Sequence, residues 1–329
     1  MKVVKDISKL IWQNERCLYS SEDIASVVVG ASLQNKSIEY TANAPNGDTI
    51  FERLERSLTV NDLRKYVRET RPIFRGYATA AIDEHVEIFY GDKDTDGVIG
   101  TKPKNGSSYA FSFLAVKIIV RNKEYIVDLI PLYDNKVAEH TIEALAELVK
   151  LYKINTILID AGFRDVDLLN WIVGRDIHLI TRMRTSKNLR IKDIKYNKAY
   201  LYSSLYEKGT YNSICKKMFV YRFKDKKHRD YYLLSDMDEK PSWIKDTYRL
   251  RWGIETGFRD VNRMEIKTTT KNKVIRLFFY IVSVLMYNIW IEVRSESYIR
   301  LDTLRSLLIK IITDLMESRG NLLRIMGLT

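Results

Sequence analysis

The spacing of apolar residues changes character along the chain. Over residues 1–76 it is helical. SSEDIASVVVGASLQ opens with Ser21 as a candidate N-cap and carries Glu22 and Asp23 in its first turn, where negative charge suits the helix dipole. TVNDLRKYVRETR follows the polar loop NAPNGD, with Thr59 or Asn61 as its cap. From 77 the period shortens. YATAAIDEHVEIFYG, SYAFSFLAVKIIV and KEYIVDLIPLY read as strands of a meander, the first two separated by the polar loop DKDTDGVIGTKPKNGSS. Helical spacing then alternates with short apolar runs: a helix over 136–152, a strand INTILID, a helix FRDVDLLNWIVGR stopping at Gly174, and a strand DIHLITRMR. Strands alternating with helices after a meander predict an α/β fold, a mixed sheet flanked by helices.

Residues 185–240 break the alternation. KMFVYRFKD and RDYYLLSD are two strands joined by a basic turn, so this stretch reads as a β-rich insertion. PSWIKDTYRLRWGIETGFRDVN returns to helical spacing, with Ser242 as its candidate cap, and two long helices follow. The expected organisation is a helical N-terminal domain over 1–76 and an α/β core over 77–184 and 241–295. The insertion spans 185–240, and a C-terminal helical segment 296–329. The most apolar run, LFFYIVSVLMYNIWI at 277–291, is short for a bilayer span and includes Ser283 and Asn288, so it is expected as a buried core helix. The first eighteen residues place charges inside their apolar run, unlike a signal peptide.

Charge narrows the function. The 329 residues carry a formal net charge of +12, which attracts polyanions, nucleic acid foremost; added solubility is the plainer reading. The two cysteines, Cys17 and Cys215, and the four histidines have no metal-binding spacing, and a reducing compartment is expected.

Three acids stand out by position. Asp83 lies inside an apolar strand, where an unpaired carboxylate is costly. Asp160 ends the strand TILID, and functional groups gather at the carboxyl ends of strands in α/β sheets. Glu255 lies on the later helix. On one continuous helix Tyr248, Arg251, Glu255 and Asn262 fall within about 60° of one another, with Leu250, Ile254, Gly257 and Val261 opposite. From geometry alone Arg251 and Glu255, four residues apart, read as a surface ion pair. Three carboxylates from separate elements would equally suit two divalent ions, because Mg²⁺ and Mn²⁺ prefer oxygen ligands.

In this strand order, Asp83, Asp160 and Glu255 resemble the DDE triad of RNase H-like transposases. Tyr248-x2-Arg251-x3-Glu255 is similar to the start of the Y-R-E-K signature of cut-and-paste insertion-sequence transposases, the insertion-sequence-four group. LIDAGFRD around Asp160, MYNIW at 286–290 and the β-rich insertion fit the same group, over roughly 78–292. The signature lysine would fall at position 262, where this chain has Asn262; Arg263 and Lys267 are nearby basic residues.

The resemblance implies an RNase H-like core and Asp83, Asp160 and Glu255 as catalytic metal ligands, with two Mg²⁺ (or Mn²⁺) ions. It implies cleavage at double-stranded transposon ends, the terminal inverted repeats, and strand transfer into target DNA. A homodimer acting in the cytoplasm, nucleoid-associated when on DNA, goes with it, and no membrane partner is expected. Tyr248 and Arg251 would contact the DNA backbone; the dense basic residues Arg259, Arg263, Lys267 and Lys271 are further expected DNA contacts, and Trp252 is a candidate to stack on a base. The alternatives are a nuclease on the same fold without strand transfer, and a catalytically silent DNA-binding protein.

Each assignment has rivals. Glu84 alternates to the opposite strand face from Asp83. Glu87 and Asp92 compete with Asp83 as well, and Asp165 and Asp167 with Asp160. The run Asp92-x-Asp94-x-Asp96-Gly97 resembles the start of a calcium loop, but its twelfth position is Pro103, and a solvated loop is expected. Trp252 reads as packing or as a base-stacking residue. Lys217, Lys224, Lys226, Lys227 and Arg229 form a second basic cluster.

Overall fold

The computed structural model describes residues 2–13, 17–41, 45–163, 165–184, 190–205 and 214–325, with side chains through 317. Positions 185–189 and 206–213 of the expected insertion, and Arg164 of the LIDAGFRD motif, lie outside the described residues. In chain order the helices and strands are α1 (Lys2–Ser8), α2 (Ser21–Gln34), α3 (Gly47–Ser57), α4 (Val60–Glu69), β1 (Tyr77–Ile88), β2 (Ile99–Lys104), β3 (Ser107–Val120) and β4 (Lys123–Leu132). Then come α5 (Val137–Leu151), β5 (Lys153–Ile159), α6 (Val166–Val173), β6 (His178–Met183), β7 (Ala199–Leu201), β8 (Phe219–Lys224) and β9 (Asp230–Ser235). Four helices finish the order: α7 (Pro241–Arg249), α8 (Trp252–Asn262), α9 (Lys273–Ser297) and α10 (Leu301–Ile325).

Two compact units emerge, divided differently from the sequence expectation. One joins residues 1–71, 94–97 and 257–329; the other holds 72–93 and 98–256. The boundary falls inside α8, and the C-terminal helices group with the N-terminal ones. In the helical unit α9 is the central element. It is long and apolar enough to cross a membrane by length and composition, yet most of its side chains are buried, and it packs against α2, α3 and α4. Phe51 meets Phe279 edge-on at 6.0 Å, and the Ser32 and Ser283 hydroxyls both donate to the Met264 carbonyl, at 2.6 and 2.8 Å.

The other unit is built on a nine-stranded mixed sheet, ordered β2-β3-β1-β5-β6-β9-β8-β7, with β4 also paired to β3. β1 runs antiparallel to β3 and parallel to β5, and β5 runs parallel to β6. The expected meander of β1, β3 and β4 is present. β2 is an addition: sequence reading places it in a polar loop, and its exposed, lysine-rich face gives no apolar alternation to see. The β-rich stretch joins the sheet, because β9 pairs antiparallel with β6.

Of three caps, two fall elsewhere than expected and one, on α4, falls on an expected residue. Ser20, not Ser21, caps α2 in a reciprocal box with Asp23. Thr59 caps α4. α7 starts at Pro241, whose fixed φ suits the first helical position, so Ser242 is already inside the helix. The expected continuous helix over 241–262 is two helices. Between them the amides of Leu250, Arg251, Gly253 and Ile254 bond to carbonyls three residues back, at 2.8–3.1 Å, a tighter winding than the α-helix.

Candidate active site

Strand pairing places the first two carboxylates. Asp83 lies opposite Ala115 of β3, and its neighbour Ile82 pairs with Ile159, the residue before Asp160. Adjacent parallel strands thus bring Asp83 and Asp160 to one region of the sheet. Residues directly opposite on paired strands share a face, so Ala81 and Ala115 share Asp83's face and, being small, leave room above it. Glu84 points away, as alternation requires, and accepts a hydrogen bond from the Ser112 hydroxyl.

The tight turn between α7 and α8 rotates Arg251 inward. Its side chain is only 5% exposed and reaches all three acids: 3.2 Å to Asp83 Oδ2, 2.8 Å to Glu255 Oε1 and 4.0 Å to Asp160 Oδ1. The pair expected on the surface from helix geometry is half-buried, and its arginine is shared with two further carboxylates. Tyr248 is buried beside it, with the guanidinium 5.6 Å from its ring centroid. Burial pushes the Tyr248 phenol up to about 12, so it remains protonated at neutral pH.

Charge at this site is unbalanced. Three carboxylates surround one cation. Burial pushes the Asp83 carboxyl up to about 6; Arg251 and the Glu84 amide pull it back, and Asp160 and Glu255 raise it further. His85, two residues along the strand, is pushed down to about 3 by burial and is therefore neutral. Among the described residues no three His, Cys, Asp or Glu side chains close into a ready metal cage. The three acids instead face a guanidinium. Their all-oxygen donor set and unmatched negative charge fit hard divalent cations.

The other expected contacts divide between the units. Trp252, at the start of α8, is 52% exposed. Arg259, Arg263, Lys267 and Lys271 belong to the helical unit and are exposed. Arg263 bonds Asp302, and Lys267 pairs with Glu265 at 3.0 Å. Asn262 is exposed at the end of α8, and its carbonyl accepts from the Asn35 amide at 2.5 Å. Asp165 caps α6 through the Asp167 and Leu168 amides, which accounts for it structurally. Asp96 accepts from Lys273 at 2.8 Å. In the second basic cluster Lys217, Lys224, Lys226, Lys227 and Arg229 are all exposed.

Sequence reading missed a feature beside Asp160. A cavity of about 390 Å³ opens there, lined by Asp160, Arg182, Arg184, Tyr231 and Tyr232 among others. The two arginines lie at the carboxyl end of β6, the parallel neighbour of β5. That position was the available signal, since ligands favour such strand ends.

Comparison with solved structures finds a piggyBac transposase, determined by cryo-electron microscopy as a synaptic complex with hairpin DNA. The likeness has a TM-score of 0.60 at 14% identity, over 97% of this chain and 79% of that one, and shows a shared fold. No curated protein matches the sequence. The family model described as the transposase DDE domain matches residues 110–289, more than half of the chain. Asp160 and Glu255 lie within the matched span, and Asp83 precedes it. The chain belongs to the transposase DDE domain family.

Proposed function

We propose that Asp83, Asp160 and Glu255 are the carboxylates through which this transposase cuts and joins DNA. The observation that carries the reading is their shared guanidinium. Acids from β1, the end of β5 and α8 gather about Arg251 with negative charge in excess. DDE transposases use divalent metal ions, and these three residues would hold them, as two Mg²⁺ or Mn²⁺ ions. When bound, such ions activate the attacking oxygen and stabilise charge on the leaving one.

The chain's own residues supply the rest. Asp83 must be ionised to act as a ligand, and the neighbouring Arg251 charge favours that form. Arg251 holds the acids in place before any ion arrives. Its planar fork also suits a phosphate. The neutral Tyr248 phenol packs against it and excludes water. Arg182 and Arg184 supply positive charge beside Asp160. The DNA partners proposed are transposon terminal repeats and target duplex, held by a homodimer. Arg259, Arg263, Lys267 and Lys271 on the helical unit are proposed backbone contacts, and the exposed Trp252 on the catalytic unit is proposed to stack on an unpaired base.

The test uses Asp83→Ala, Asp160→Ala and Glu255→Ala in an assay that separates binding, cleavage and joining. Each should lose cleavage by about 10³-fold or more while binding end DNA. Cleavage retained in any one removes that residue from the triad. Cut ends without joined product would favour a nuclease.

A further inference from the structure

Lys117 has no role in the site as described, yet it is 1% exposed in the middle of β3. A buried ammonium is costly unless paired and hydrogen-bonded. Here it bonds Glu124 Oε2 of β4 at 2.6 Å and donates to the Gly253 carbonyl at 2.5 Å. Gly253 lies in the first turn of α8, between Arg251 and Glu255. Lys117 pairs with Ala81, so it shares a sheet face with Asp83 two residues along.

The contact is close on the helix side too. A Cβ on residue 253 would lie 2.4 Å from both Glu124 carboxylate oxygens, so a larger residue there would push the Glu124 carboxylate off its present place beside Lys117. The β3–β4 register shifts between Val116 and Lys117, where β4 carries the extra residue Val127, while β3 keeps its register with β1, so Lys117 stays on Asp83's face. The hairpin, which contributes no acid of its own to the site, thereby holds the backbone midway between the shared arginine and the third carboxylate.

We propose that Lys117, locked by Glu124, is a positioning residue: its bond to the Gly253 carbonyl sets the depth of α8 and so places Glu255 against Asp83 and Asp160. The inference rests on the assignment of Glu255 above. A merely stabilising ion pair can be replaced by apolar side chains without loss of stability, whereas an anchor cannot be replaced without loss of its hydrogen bond.

The experiment compares Lys117→Met/Glu124→Leu, Gly253→Ala and Glu255→Gln with the parent in the full chain. Two readouts are taken. One is the Mn²⁺ concentration giving half of the metal-induced rise in melting temperature, without DNA. The other is the Mn²⁺ dependence of cleavage of a plasmid bearing the ends of the element that encodes this chain. The double variant should melt near the parent yet need about ten times more Mn²⁺ in both. Gly253→Ala, which keeps both charges, should shift the same way and serves if the double variant does not fold. Parent-like Mn²⁺ midpoints in the variants that fold, with Glu255→Gln inactive, would overturn the anchor alone. A Glu255→Gln protein that cleaves like the parent would overturn both the anchor and the assignment beneath it.

Discussion

The sheet unit holds two groups of acid and base, each gathered about one buried charged side chain, that look alike as lists and differ as physics. Around Asp236 one fully buried carboxylate accepts the Leu179 amide at 2.8 Å, the Lys216 ammonium at 2.9 Å and the His178 ring nitrogen at 3.2 Å. Its hydrogen-bonding capacity is met, and these bonds tie β6 to the residues on either side of β8 and β9. Around Arg251 the ratio is reversed, with three carboxylates to one guanidinium and Asp83 pushed up to about 6. A satisfied cluster contributes to the fold. A cluster with charge left over is waiting for a cation, and perturbed acids of this kind concentrate at active sites.

That contrast can be broken in three ways. The largest effect is expected from Arg251→Ala, which strips the acid cluster of the cation that all three carboxylates share. Without divalent metal it should cost about 3 kcal/mol, most of it at Asp83, since water screens the more exposed Asp160 and Glu255. Mn²⁺ should recover much of that loss, as read by thermal unfolding with and without chelator. Recovery by Mn²⁺ in an Asp236→Asn protein as well would erase the difference between the clusters.

Asp236→Asn itself should be next, costing about 2–3 kcal/mol whatever the metal. Its cleavage rate per folded molecule should stay near the parent's, unlike the triad variants. Selective loss of cleavage with unchanged melting would make Asp236 a functional acid and remove it from the comparison.

Asp83→Asn should act in the opposite direction and more gently. The folded chain holds the Asp83 proton up to about pH 6, whereas the ordinary value is 3.8. Ionisation therefore costs stability progressively as pH rises through that window, and the cost is complete above it. Relative to the parent, metal-free Asp83→Asn should gain up to about 1–3 kcal/mol near neutral pH and nothing near pH 4. Melting curves across pH check this, and a gain that grows toward acid pH would reverse the sign assigned to the site.

Much of the arrangement was legible in the sequence because apolar spacing carries it. β1, β3, β4, β5, β6, β8 and β9, and the stop of α6 at Gly174, follow from alternation and turn residues. What escaped was set by contacts distant in the chain. Arg251 reads as a surface partner of Glu255 on an ideal helix. It turns inward only because the winding tightens after α7, and the reason lies in Asp83, 168 residues earlier. Lys117 reads as one charge in an apolar strand, and its meaning depends on Gly253. β2 and the three-residue β7 are too short or too polar for any period to reveal. The sharing of one unit by the first and last helices leaves no local trace at all.

That sharing bears on how the chain is made. Residues 72–256 form an almost contiguous stretch that can complete its sheet as it leaves the ribosome. The helices before it cannot finish: α2, α3 and α4 bury their apolar faces against α9, which is synthesised after the whole sheet unit. At common translation rates the wait is on the order of ten to forty seconds. Through that interval α2, α3 and α4, whose Val27, Val28, Leu54 and Leu63 are fully buried in the finished protein, lack the part of their cover that α9 supplies. A transcript cut short after α8 would therefore release an assembled sheet fused to sticky, unfinished helices.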